Sequence, residues 1–293
     1  MTSSLAFSQV RHGDDPSWLI QLGLDEHWII EEEKLRLEQS SILGSGGFGT
    51  VIEGVYSGVK VAVKIPKSER QVEFPLLNEL RLLRHLRHPN IVLFFGACIG
   101  SKASDMMLVF ELIHGVTLQE FMSEPSRLDR SMATGNLAQQ GSPVQKRPWH
   151  SDYEPCFDAI RNVKTASPMD YVQRTASVCG RLSILSGIAC ALQYLHTVSK
   201  PIVHSDLKDS NVFVETWGDH LRSKLGDFGL SRLVYKVDSR MGGTLRWMAP
   251  EIITSNGSVS PAASADVFSF GRMMSMILSG VRPCKAGVGQ NNV

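Results

Sequence analysis

The sequence predicts an α+β fold in two lobes, a small antiparallel sheet carrying one helix and then a larger helical part, with a cleft at their junction. Two patterns lead to it. Residues 35–110 fall into short β-favouring runs punctuated by glycine, whereas residues 181–196 and 267–278 repeat leucine, isoleucine and methionine at helical spacing. A chain of 293 residues can bury a sizeable core, and one two-lobed unit with an inserted segment suits that length better than several independent domains.

Residues 1–34 read as an N-terminal extension. Met1, Thr2, Ser3 and Ser4 carry no basic cluster, and Arg11, His12, Asp14 and Asp15 interrupt any apolar run, so no secretory leader is expected. Residues 35–113 form the sheet lobe. Within it, 43–56 read as a glycine-turned hairpin, 59–65 alternate, and 91–97 and 106–110 are further apolar strands. One helix is set into the sheet at 73–86, where Leu76, Leu80, Leu83 and Leu86 recur before His88, Pro89 and Asn90 end the run.

Residues 114–284 make the second lobe. Its stretch 123–178 has Pro125, Pro143, Pro148, Pro155 and Pro168 among many Ser, Gln and Asn residues, which breaks every periodicity and predicts a mobile, partly disordered insert. Trp149, Tyr153 and Phe157 within it receive no function. Leu182, Leu185, Ile188, Leu192 and Leu195 then mark one helix, a nearly all-round apolar helix follows at 266–279, and 285–293 is a tail.

Composition narrows the function. With 30 Lys+Arg against 29 Asp+Glu and a net charge of +1, the chain has no basic field for nucleic acid or an anionic bilayer. The longest near-continuous apolar stretch, 91–100, is far shorter than the roughly 20 residues of a membrane span. The five cysteines, Cys98, Cys156, Cys179, Cys190 and Cys284, are odd in number and lack CxxC spacing, which fits a reducing, cytoplasmic compartment.

Three motifs carry chemistry. Gly44, Gly46 and Gly49 followed by Val51 form GxGxxGxV between two strands, where glycine lets the backbone approach phosphate oxygens. The strand setting argues against the dinucleotide-binding version, which needs a helix next. Lys64 of VAVK is an inward lysine on a strand, and Glu79 on the following helix is its expected ion-pair partner. Finally, the run from His204 to Asn211, HSDLKDSN, precedes Asp227, Phe228 and Gly229. Phosphoryl transfer needs a carboxylate to orient the attacking hydroxyl and hard oxygen ligands to hold magnesium against the triphosphate, and Asp206, Asn211 and Asp227 are of those types.

These motifs, with MAPE ending at Glu251, resemble the eukaryotic protein kinase family in both order and spacing. Trp28 ahead of the glycine loop, HPNIVLFFGAC at 88–98 and GTLRWMAPE at 243–251 are similar to the tyrosine-kinase-like group of Raf and mixed-lineage-kinase relatives, whose usual acceptors are Ser and Thr. The resemblance implies a protein kinase-like fold, ATP and Mg²⁺ as cofactors and protein substrates as partners. It also implies roles. Asp206 is the base and Lys208 contacts the transferred phosphate. Lys64, paired with Glu79, meets the α and β phosphates under a cover running from Gly44 to Gly49. Asn211 and Asp227 bind Mg²⁺. Leu43, Val51, Ala62 and Phe213 sandwich the adenine, Phe110 is the gatekeeper, and backbone groups of the hinge from Glu111 to Ile113 bind the purine edge.

Two departures temper the family pattern. Ser205 stands where the family carries arginine, which weakens the pocket that reads an activation-loop phosphate. The sequence also ends at Val293, where the family continues through further helices, including the usual arginine partner of Glu251. A buried, unpaired Glu251 and an uncovered apolar helix are therefore expected, and with them a partner chain over the incomplete lobe. A nucleotide-binding scaffold without chemistry, or a truncated inactive fragment, stays open as the second reading.

Overall fold

The structure, a computed structural model, describes residues 17–46, 49–66, 73–100, 105–123, 178–217, 220–229, 231–233, 245–255 and 259–283. The expected insert lies outside the described residues except for Ser123 and Val178, which belong to helices; Trp149, Tyr153, Phe157, Cys156, Cys284 and the tail 285–293 lie outside them too.

Helix α1 (Ser17–Asp25) leads into a one-turn 3-10 helix (Glu32–Lys34) and then strands β1 (Leu35–Gly46), β2 (Gly49–Tyr56) and β3 (Val59–Ile65). Helix α2 (Glu73–Leu83), β4 (Phe94–Cys98) and β5 (Met107–Glu111) complete an antiparallel sheet ordered β1-β2-β3-β5-β4. The period-2 alternation of β3 explains its two faces. Val61 and Val63 pack with Ile52, Cys98 and Val109 on one side of the sheet, which leaves Ala62 and Lys64 for the opposite side.

Two boundaries differ from expectation. Helix α2 stops at Leu83 instead of 86 because its last turn tightens: the His85 N–H donates to Leu82 O and the Leu86 N–H to Leu83 O, three residues back. Strand β4 begins at Phe94 because Ile91 bridges Leu225 instead, with the Val92 N–H donating to Leu225 O at 2.9 Å.

Strand β6 (Gly115–Thr117) and helix α3 (Leu118–Ser123) open the second lobe; then come α4 (Val178–Thr197), β7 (Ile202–Val203), β8 (Val212–Trp217), β9 (His220–Leu225), β10 (Arg232–Leu233), α5 (Pro250–Thr254) and α6 (Ala263–Ser279). A β6-β8-β9 sheet and a β10-β7 pair lie among the helices. Helix α4 is long and apolar enough to cross a membrane by length and composition, which the sequence reading missed. Here it is a core helix: Ile184, Leu185, Ile188, Ala191, Leu192 and Leu195 are buried, and its Arg181 donates to the carbonyls of Ile277 and Leu278 on α6.

One main core joins the lobes, running from Leu80, Leu83 and Phe94 through Phe228 to Leu195, Met273 and Ile277. Glu251 departs from expectation. It lies exposed in the first turn of α5, so the cost of a buried unpaired carboxylate does not arise. The apolar helix does keep an open side: Met274 and Leu278 on α6 are exposed, as are Leu182 on α4 and Val281.

Candidate active site

The β1-β2 hairpin, β3, α2, the β5-β6 connection and the loops around β7 to β9 enclose a cleft of about 540 Å³. Its wall includes Leu43, Gly44, Gly49, Val51, Ala62, Lys64, Glu79, Phe110, Glu111, Ile113, Lys208, Asn211, Phe213 and Asp227. Gly46 pairs with Gly49 at the end of the hairpin. Asp206 sits just behind the wall, bonded to Lys208 and Asn211.

The glycines differ in what they require. A Cβ on Gly44 would meet nothing within 4 Å, so that position leaves open space. Gly49 has φ +154°, and a Cβ there would lie 2.4 Å from the carbonyl oxygen of Ile65. The neighbouring strand forces glycine at that point, a cause the motif did not reveal.

Lys64 reaches across from β3. Its Nζ donates to Glu79 Oε2 at 2.7 Å and to Asp227 Oδ1 at 3.1 Å. Burial alone would lower the Lys64 pKa, but the two carboxylates outweigh it and hold the ammonium above its ordinary value. Burial pushes Glu79 up, only partly countered by Lys64. Asp227, which burial would raise, is held below the usual carboxylate range by Lys64.

The loop between β7 and β8 is anchored by Asp266 in the first turn of α6, which is 1% exposed. The His204 N–H donates to its Oδ2 at 2.8 Å and the Ser205 N–H to its Oδ1 at 2.9 Å, and His196 Nε2 is 2.9 Å from Oδ2. Ser205, at φ 67°, turns the chain so that the next side chain, Asp206, is presented. Lys208 Nζ donates to Asp206 Oδ2 at 2.5 Å, and Asn211 Nδ2 donates to Asp206 O at 2.9 Å and Oδ2 at 3.1 Å. Because its nitrogen is spent on Asp206, Asn211 keeps its Oδ1 as an acceptor.

Asp227 has φ 58°, a left-handed conformation that separates it from the neighbouring Phe228, whose ring packs 5.1 Å from that of His204. Phe110 meets Phe94 edge to face at 5.8 Å at the back of the cleft. Glu111 is fastened on both sides. Its carboxylate accepts from the Leu93 N–H at 2.7 Å and from Lys224 Nζ at 2.5 Å.

The protein tyrosine and serine/threonine kinase family matches residues 37–292. The chain is a member of that family. Among relatives, a probable serine/threonine-protein kinase of Dictyostelium discoideum, kinX, is 30% identical over 88% of this chain and 19% of its own length. The Arabidopsis thaliana lectin-domain containing receptor kinase VI.3 is 31% identical over 85% of this chain and 30% of its own length. The serine/threonine-protein kinase VIK of the same plant is 29% identical over 87% of this chain and 49% of its own length. The chain thus spans half or less of these relatives, which include a receptor kinase and two proteins named as serine/threonine kinases.

In this kinase domain the sequence reading missed Asp266, Lys224 and the pair Asp209 and Arg282, whose Nε donates to Asp209 Oδ2 at 2.8 Å. The signal for Asp266 was available: a single acid opening a helix that is otherwise small or apolar in its first turns. The others meet partners far away in sequence, and neither residue of the pair stands out locally.

Proposed function

We propose that this kinase domain transfers the γ-phosphate of ATP to serine and threonine hydroxyls of protein substrates in intracellular signalling. The observation that carries the reading is the Asp206 carboxylate, held by Lys208 and Asn211 of the cleft lining, together with Lys64, which bridges Glu79 and Asp227 in the same lining. Asp206 accepts the proton of the attacking hydroxyl, and Lys208, beside it, steadies the transferred phosphate. Lys64 holds the α and β phosphates beneath the stretch from Gly44 to Gly49. Leu43, Val51, Ala62 and Phe213 clasp the adenine, Phe110 limits its depth, and the backbone of Glu111 and Ile113 meets the purine edge.

The donor set suits Mg²⁺. Asn211 keeps a carbonyl oxygen and Asp227 a second carboxylate oxygen, and two such hard ligands completed by phosphates and water are what this ion favours. When bound, the ion neutralises charge on the β and γ phosphate oxygens.

Trp28 and the segments 88–98 and 243–251 support placing the domain in the tyrosine-kinase-like group, and Lys208 supports Ser/Thr acceptors. Cys98, Cys179 and Cys190 are free thiols, which supports a reducing, cytoplasmic setting. The exposed apolar side of α6 and α4 supports a covering protein partner. Thermal stabilisation tests nucleotide binding directly. ATP with Mg²⁺ at a hundred times Kd should add about 2.7 kcal/mol to the wild type, and far less to Lys64→Met. Equal stabilisation of both would contradict the assignment of Lys64.

A further inference from the structure

We propose that Arg282 is a positioning residue for the phosphoryl-transfer loop, acting through the buried carboxylate of Asp209. The proposal rests on the reading of Asp206 as the base.

The side chain of Asp209 is 3% exposed. A carboxylate in such a place needs a cationic partner, and Arg282 supplies it by donating from Nε, at 2.8 Å, and from Nη2 to the same Oδ2. Asp209 opens the one-turn 3-10 helix Asp209–Asn211, in which the Asn211 N–H donates to Lys208 O at 3.1 Å. Lys208, just before this turn, and Asn211, its last residue, are the two that hold the Asp206 carboxylate. Whatever fixes Asp209 therefore fixes the orientation of both.

The route by which Arg282 arrives is built into α6. Gly280 takes the left-handed conformation, φ 73°, and its N–H donates to Met276 O at 2.8 Å, which ends the helix and turns the chain. Two residues later Arg282 meets Asp209. The first turn of the same helix carries Asp266, which accepts the N–H groups of His204 and Ser205. The helix and the turn that follows it thus grip the loop before Asp206 through the Asp266 carboxylate and after it through the Arg282 guanidinium. A rigid element holding a loop at two points is a means of keeping a reacting group within the small error that catalysis tolerates.

A purely structural role predicts something different. Arg282 is 43% exposed, so its removal opens no cavity, and a stability role alone would lower the melting temperature without touching turnover. The positioning role predicts a loss in kcat of about tenfold in Arg282→Met, with KM for ATP within about twofold, and partial recovery in Arg282→Lys. The double variant Asp209→Asn with Arg282→Met removes the unpaired carboxylate. It should regain the melting temperature but not kcat, and recovery of both would overturn the proposal. Hydrogen exchange gives a reading that needs no turnover: amides of residues 206–211 should exchange at least about tenfold faster in Arg282→Met. Unchanged protection there overturns the proposal even if turnover falls. Asp206→Asn separates the two levels of inference. If it stays active, the assignment of the base fails; if it is dead while Arg282→Met matches wild type in kcat and exchange, the positioning role fails.

Discussion

Replacing Lys64 by methionine tests the centre of the cleft on two scales. The ammonium lies 2.7 Å from Glu79, whose side chain is 2% exposed, and 3.1 Å from Asp227. Methionine keeps much of the volume and removes the charge, which leaves Glu79 buried without its partner. Breaking such a pair costs about 3–5 kcal/mol, and protonation of Glu79, already pushed up by burial, limits the loss to the lower end. At about 2–4 °C per kcal/mol for a domain of this size, melting should fall by roughly 6–12 °C. Turnover should suffer more, because a preorganised cation on the phosphate oxygens accounts for about 10²–10³ in rate. The assay is steady-state phosphate transfer beside calorimetric melting. A control isolates the cause: Lys64→Met with Glu79→Leu removes both charges, so it should melt above Lys64→Met alone while remaining as inactive. The reasoning is refuted if Lys64→Met keeps turnover within about threefold of wild type, or if the double variant melts no higher than the single one.

Other outcomes follow from the same geometry. Asp206→Asn should reduce kcat by about 10³ with nucleotide affinity nearly intact, whereas Asp227→Ala should weaken Mg²⁺-dependent ATP binding as well; equal losses of binding in both would contradict the division of roles. Asp227 also sets a pH dependence. Its folded pKa is depressed, so its contribution is present above the unfolded value of about 3.9 and is lost as pH falls through the lower folded value. The melting gap between wild type and Asp227→Asn should therefore narrow below about pH 4, and a constant gap would argue against the Lys64 contact. Ser205 offers no guanidinium fork, so phosphorylation of Tyr235, Ser239 or Thr244 should change activity less than about twofold, read by comparing phosphatase-treated and phosphorylated protein; Ser231, expected to be available as well, is instead fully buried with its hydroxyl donating to His204 O. Met274, Leu278, Leu182 and Val281 should drive self-association of the purified protein, which size-exclusion chromatography would show and polar substitution at Leu182 and Met274 would suppress; a monodisperse wild-type monomer would contradict it.

Much of the molecule was legible because its chemistry is local. The alternation of VKVAVKI sends Lys64 to one face of β3, and the polar residues of HSDLKDSN fall within a single loop, so the sequence alone brought Lys64, Glu79, Asp206 and Asn211 into one argument. What stayed hidden depends on contacts between distant segments. The start of β4 could not be read from its apolar run, because Ile91 is claimed by Leu225 in the other lobe. Arg282 and Asp209 lie 73 residues apart, and nothing near either announces the other. Glu251 was misjudged because its burial was carried over from the family resemblance, whereas the first turn of α5 leaves the carboxylate in water, next to helix N–H groups that favour it.

The most direct test of the account is transfer of labelled phosphate from ATP with Mg²⁺ to a general protein substrate, followed by identification of the phosphorylated amino acid, in wild type and Asp206→Asn side by side. The account predicts phosphoserine and phosphothreonine from the wild type and a loss of about 10³ in the variant. ATP with Mg²⁺ stabilising the fold while no phosphate is transferred, label found only on tyrosine, or equal transfer by both proteins would contradict it.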